Sequence, residues 1–237
     1  PARRVGRRTS PTSSSAAAPP RPPEAIPPPT DAGERRQLTV LFSDLVGATA
    51  LSTRLDPEEW RDRVAQYHRA TADVVTRFGG TVAKYLGDGV LALFGYPAAH
   101  EDDAERAVRA GLAIVEAVGN GPSPDRLAVR VGIHTGLTVI GDAGGKPDVF
   151  GETPNVAARV QGAAEPDTVV VSAATQRLVA GMFVVEDRGP QALKGVREPV
   201  PLYRVVQPSG VRSRLDVAAG RLTHFVGREV ELATLVD

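Results

Sequence analysis

At 237 residues the chain has room for one large domain or for one medium domain with flanks. It contains no cysteine, which removes disulfide frameworks and thiolate metal sites. No apolar run reaches membrane-spanning length, and the Arg-Arg pairs near the start are not followed by the apolar stretch of an export signal, so a soluble cytoplasmic domain is expected. The 28 basic and 28 acidic side chains cancel, which argues against a general nucleic-acid binder.

Residues 1–33 are rich in Pro, Ser, Ala and Arg and almost lack large apolar side chains, so they cannot bury enough surface to offset chain entropy and read as a disordered linker. The chain begins at Pro1 without a methionine and is expected to come from a longer protein. A folded domain then spans 34–206. Gln37 to Phe42 reads as a buried strand. Asp56-Pro57-Glu58-Glu59 is a helix start, with an N-cap Asp, Pro at the first helical position and Glu at the third, and the helix runs toward Phe78-Gly79-Gly80. Thr81 to Leu86 and Val90 to Phe94 flank Gly87-Asp88-Gly89 as a hairpin. A second amphipathic helix covers Asp102 to Val118. Strands follow near Leu127 to His134 and Leu137 to Ile140, then a projecting hairpin tip over Gly141 to Pro147 and a helix over Glu152 to Ala164. The order predicts an α/β (α+β) sandwich containing antiparallel strands, with helices on one face. Past Tyr203-Arg-Val-Val206 lies a linker at 207–220, and Phe225-Val-Gly-Arg-Glu-Val-Glu-Leu at 221–237 is similar to the segment that opens many signalling ATPase domains.

Three segments carry candidate chemistry. Phe42-Ser-Asp44-Leu-Val-Gly47 and Lys84-Tyr-Leu-Gly-Asp88-Gly89 each end a strand-like apolar run at an acidic residue. Asp148-Val-Phe-Gly-Glu-Thr-Pro-Asn155-Val-Ala-Ala-Arg159 puts three different polar side chains on one short turn-and-helix segment. Taken singly, Asp44 reads as a helix cap and Asp88 as a turn residue, since Asp is common at both places. Of the 28 basic residues only Lys84, Lys146 and Lys194 are lysine, so each stands out against an arginine background. Two decoys fall away. Gly141-Asp-Ala-Gly-Gly-Lys146 has the wrong glycine spacing for a phosphate loop, and Pro147 replaces the required Ser or Thr. His68, His100, His134 and His224 show no metal-ligand spacing, and His134 within an apolar strand reads as a satisfied core residue.

Together the three segments resemble the catalytic domain of the class III adenylate and guanylate cyclases, from about Gln37 to Val206. The resemblance implies the cyclase palm, a ferredoxin-like βαββαβ core with a projecting hairpin, working as a homodimer in which the metal carboxylates of one chain face the base-reading and catalytic residues of the other. It implies that Asp44 and Asp88, with the Leu45 carbonyl, hold two Mg²⁺ or Mn²⁺ ions per site, which suits a reaction needing hard oxygen ligands around a triphosphate. Lys84 and Asp148 stand at the two positions that specify the base, and both are of the adenine-reading type, so ATP is the implied substrate. Asn155 would orient the ribose and Arg159 would stabilise the α-phosphate in the transition state. Their spacing of four puts them on one helix face. Gly47, at a helix start, and Lys194 would contact phosphates. The chain departs from the family at Ala48, Phe150 and Pro154, where Phe, Trp and Val are usual; only the first loosens an expected phosphate contact. Two rivals stand beside the adenylate cyclase reading. One is a catalytically silent nucleotide-sensing domain, although degenerate relatives usually lose one or more of the six principal residues and this chain keeps all. The other is a guanylate cyclase, disfavoured by Lys84 and Asp148.

Overall fold

The computed structural model describes residues 34–119, 127–142 and 147–211. The predicted linker at 1–33 and the ATPase-like segment at 221–237 lie outside them. The elements are β1 (Glu34–Leu45), α1 (Ala48–Arg54), α2 (Pro57–Arg77), β2 (Thr81–Leu86), β3 (Gly89–Phe94), α3 (Asp103–Gly119), β4 (Val129–Asp142), β5 (Pro147–Phe150), α4 (Glu152–Gly162), β6 (Thr168–Ser172), α5 (Ala173–Leu178), β7 (Phe183–Gln191) and β8 (Val200–Pro208). No helix among the described residues is long and apolar enough to cross a membrane.

One sheet runs in the order β2-β3-β1-β4-β6-β8-β7, with β5 paired to β4 as a hairpin arm. Its first four strands, threaded by α2 and α3, are the predicted ferredoxin-like core, and β1 pairs antiparallel with both β3 and β4. The β4–β6 pair is parallel, so α4 lies within a crossover connection. The start of α2 follows its sequence signal: the Asp56 carboxylate accepts from the Glu58 amide at 2.9 Å, and Pro57 occupies the first turn.

Two expectations change. The sheet carries helices on both faces, not one. Leu41 and Leu45 pack with Val75 of α2 and Ile114 of α3, whereas Leu38 and Val40, alternating with them, pack with Val149 of β5 and Ala157 of α4. A strand apolar on both sides needs cover on both sides. The two strands placed at 127–134 and 137–140 are also a single strand, β4. Gly136 reads as a break in sequence, but its missing side chain serves a close approach: a Cβ there would come within 2.7 Å of Thr153 Oγ1 on α4. Gly132 makes the same provision further along, since its Cβ would overlap the backbone of Gln161. Eight helical residues rise about 12 Å, and four strand residues rise about 13 Å. Thr153 and Gln161 therefore meet Gly136 and Gly132 in step, and α4 lies along β4.

His134 sits between these glycines, and its Nδ1 lies 2.7 Å from Ser172 Oγ. It is a satisfied core histidine, as the sequence suggested, and burial pushes its pKa below the usual 6.5.

Replacing Gly132 by Ala should force α4 off the sheet. The expected cost is about 1–3 kcal/mol or more, as for other overpacked contacts, read as a lower urea midpoint at unchanged slope. Gly162→Ala, where a Cβ meets nothing within 4 Å, is the control and should be near neutral.

Candidate active site

The register of β1 against β3 places Asp44 opposite Gly89, beside the turn that carries Asp88. Gly87 enters that turn at φ 66°, a left-handed conformation that favours glycine. A Cβ on Gly89 would lie 3.4 Å from Asp44 Oδ1, so the turn closes against the carboxylate without a side chain between. The Asp44 pKa is raised to about 6, first by burial, then by the charge and hydrogen bond of Asp88, with the Leu45 backbone and the Arg130 charge opposing. Two carboxylates crowded at the end of one sheet have a single arginine, Arg130, to offset their charge, and a divalent cation would complete the balance. Among the described residues no group of three or more His, Cys, Asp or Glu side chains converges, so no all-protein metal cage is built. A pair of hard carboxylates open to further oxygen ligands fits Mg²⁺ or Mn²⁺, which keep water and substrate phosphates in their coordination sphere. Leu45 is buried at the end of β1. Gly47 begins α1 at φ 70° with no side-chain cap on the helix amides.

Arg130 escaped the sequence reading. It lies directly across from Asp44 in the β1–β4 register, and its Nε is buried without a hydrogen-bond partner. The available signal was a charged residue inside an otherwise apolar strand, Leu-Ala-Val-Arg-Val-Gly-Ile.

Lys84 on β2 and Asp148 on β5 form an ion pair, Nζ to Oδ1 3.7 Å, with side chains 54% and 29% exposed. A β-bulge makes this meeting possible. Val82 pairs with Ala92 but Lys84 pairs with Leu91, leaving Ala83 as the extra residue. Ala83 and Lys84 consequently share the face on which Leu91 packs, and Tyr85 turns to the other, where it meets His68 of α2. An exposed pair of this kind contributes only about 0–1 kcal/mol, which leaves both groups available to a ligand.

Asn155 and Arg159 project from one face of α4 and line a cleft of about 960 Å³ together with Lys194 from the loop between β7 and β8. Asn155 Nδ2 donates to the Gly151 carbonyl at 3.1 Å. Arg197 and Glu198, not singled out in sequence, line the same cleft. The predicted residues thus fall into three groups: the carboxylate pair, the Lys84–Asp148 pair and the α4 cleft. No hydrogen bond or ion pair among the described residues joins Asp44 or Asp88 to Asn155, Arg159 or Lys194.

Comparison with known proteins gives concordant matches. A family model for the adenylate and guanylate cyclase catalytic domain covers residues 31–207. Adenylate cyclase 1 of Rhizobium meliloti (strain 1021) is 30% identical over 187 residues, which are 74% of this chain and 28% of that protein. The solved adenylyl cyclase CyaB from P. aeruginosa superposes with a TM-score of 0.66 at 31% identity, covering 77% of this chain and 97% of that one. The guanylyl cyclase Cya2 does so with a TM-score of 0.70 at 34% identity, covering 75% and 95%. The chain spans only 20% to 33% of the length of the first curated relatives it matches.

The crowding of Asp44 and Asp88 sets an expected outcome in the absence of metal. With chelator present, Asp88→Asn should melt at or above the wild-type temperature, because a like charge has been removed. Adding Mn²⁺ should raise the wild-type melting temperature and leave Asp88→Asn unmoved, as binding to the folded state alone requires. Differential scanning fluorimetry reads both.

Proposed function

The chain belongs to the adenylate and guanylate cyclase catalytic-domain family, and we propose that this class III domain converts ATP to 3′,5′-cyclic AMP and pyrophosphate at sites shared between two copies of itself. The observation that carries the choice of base is the Lys84–Asp148 pair. A lysine donor and a carboxylate acceptor held within 3.7 Å of each other match the N1 acceptor and N6 amino donor of adenine, and guanine reverses both demands. Buried, matched hydrogen bonds can reject a wrong partner by about 10⁴ or more.

In this reading Asp44 and Asp88, with the Leu45 carbonyl, would hold two Mg²⁺ or Mn²⁺ ions, which would supply Lewis-acid activation of the 3′-hydroxyl and charge neutralisation at the pyrophosphate. Arg130, beside Asp44 with a buried unpaired Nε, is placed to donate to phosphate oxygens. Gly47 and the amides after it offer further donors at the α1 start. From α4, Asn155 orients the ribose and Arg159 donates to the α-phosphate as charge builds there, the use to which a planar guanidinium is suited. Lys194, across the same cleft, meets the terminal phosphates. The separation of the carboxylate pair from the α4 cleft supports completion of each site by a second copy, and a two-fold dimer of identical chains would hold two complete sites.

Purified chain with Mn²⁺ and either ATP or GTP, its products identified by mass, tests the reading. Cyclic AMP with a strong preference for ATP is expected, and chelation or Asp44→Ala should abolish it. Lys84→Glu with Asp148→Cys should lower the ATP-to-GTP ratio even as total activity falls about 10²-fold to 10³-fold. Cyclic GTP as the main product would favour the guanylate cyclase reading that the Cya2 match keeps in view. Nucleotide binding without product would favour a sensing domain.

Asp44→Ala and Arg159→Ala should each be nearly inactive alone and should recover activity when mixed. In a freely exchanging equimolar mixture about half the dimers carry one intact site, so recovery should approach roughly a quarter of wild type. No recovery where sedimentation shows mixed dimers would place the site within one chain.

A further inference from the structure

Beneath the carboxylate pair, α2 turns two consecutive aromatic side chains toward the two segments that carry Asp44 and Asp88. Tyr67 is only 2% exposed, and its Oη lies 2.8 Å from the Oγ of Ser43, the residue immediately before Asp44. The His68 ring faces the backbone of Gly87, the residue immediately before Asp88, whose influence opposes the lowering of its pKa by burial. Its ring centroid is 4.5 Å from that of Tyr85 and 5.5 Å from that of Tyr67. The Nε2 of His68 is buried without a hydrogen-bond partner. One turn of one helix therefore grips both strand ends, each by the residue next to a carboxylate.

Both grips fall where the chain needs them. Gly47, three residues after Asp44, and Gly87, just before Asp88, are left-handed glycines with open space where a side chain would stand. The two carboxylates repel each other across this junction, and without external support their separation would be set by repulsion. Neither Tyr67 nor His68 hydrogen-bonds a carboxylate, although Tyr67 feels the charges of Asp44 and Asp88 and His68 that of Asp88, so their mechanical hold on the pair passes through Ser43 and Gly87.

We propose that Tyr67 and His68 are positioning residues that fix the spacing of Asp44 and Asp88 and so preform the divalent-cation site. This rests on the reading of the two aspartates as metal ligands. Partners of ligating groups commonly change metal affinity by 10–100-fold when removed, and both residues stand in that relation to the aspartates through a single intervening residue.

The test is Mn²⁺ binding by the whole chain in the presence of 3′-deoxy-ATP, which lacks the hydroxyl needed for cyclisation, with free Mn²⁺ read by electron paramagnetic resonance and melting followed in parallel. Tyr67→Phe keeps the packed ring and deletes the hydroxyl; His68→Leu deletes the contact with Gly87; His68→Gln keeps a donor that can reach a carbonyl. Tyr67→Phe and His68→Leu should each weaken Mn²⁺ binding about tenfold or more, and His68→Gln should recover most of that loss. Variants that melt earlier yet bind Mn²⁺ as tightly as wild type would reduce both residues to core packing and overturn the proposal. If Tyr67→Phe fails to fold, the two His68 variants decide alone. Asp88→Asn separates the two levels. Should wild type bind Mn²⁺ no better than Asp88→Asn, the ligand assignment fails and positioning falls with it. Should Asp88→Asn lose binding while the Tyr67 and His68 variants keep it, only the positioning proposal fails.

Discussion

The close seating of α4 on β4 is the constraint on which the rest of the molecule depends. Gly132 and Gly136 remove the side chains that would hold the helix away, and Gln161 and Thr153 occupy the space so released. Because the rises of helix and strand agree over this interval, the contact is a line and not a point. Val156 and Val160 then reach Val170 of β6 and Leu202 of β8 in one apolar cluster, so the same seating extends the sheet beyond its ferredoxin-like half. It also fixes which way the outer face of α4 looks, and that face bears Asn155 and Arg159. A strand residue and a helix face far apart in sequence are thus held in register by two missing methyl groups.

The opposite face shows a different economy. There α2 and α3 cover the sheet with ordinary aliphatic packing, and the Asp44–Asp88 pair lies at the end of β1 beside the β2–β3 turn. Asp44 is held at a pKa of about 6 because burial and Asp88 disfavour its charge together. Stability alone would replace one of the two carboxylates. Perturbed titration of a crowded carboxylate pair is a common mark of a functional site, and the arginine across the strand only partly settles the imbalance.

How much of this could be read in the sequence depends on whether a signal was local. The Asp56-Pro57 start of α2 and the Gly87-Asp88-Gly89 turn carry their own instructions within four residues, and both form as expected. The resemblance links Lys84 and Asp148 as the two base-specifying positions, and the scarcity of lysine marks the first of them, but their ion pair emerges only from the fold. Gly136 misled, since a glycine in a strand looks like a break until the helix above it is known. Arg130 went unnoticed for a similar reason: only the β1–β4 register reveals that it faces Asp44. The placement of α4 on the second face was legible in principle from the unbroken apolar run of β1, which leaves no side for water. The resemblance supplied a topology, but the cross-strand neighbours that decide charge and contact come from pairing, which no short window contains.

The bulge at Ala83 bears on the Lys84–Asp148 pair in a way that composition does not show. A strand has two faces, so which side chain is presented depends on whether the count from a fixed point is odd or even. The extra residue shifts that count once, sending Lys84 toward Asp148 and Tyr85 toward His68. Which side chain meets Asp148 at this edge is therefore written in parity as much as in residue identity. A single-residue deletion in β2 would exchange the places of lysine and tyrosine while leaving both in the chain, a route by which descendants of this fold could lose the Lys84–Asp148 contact without altering one recognisable motif residue.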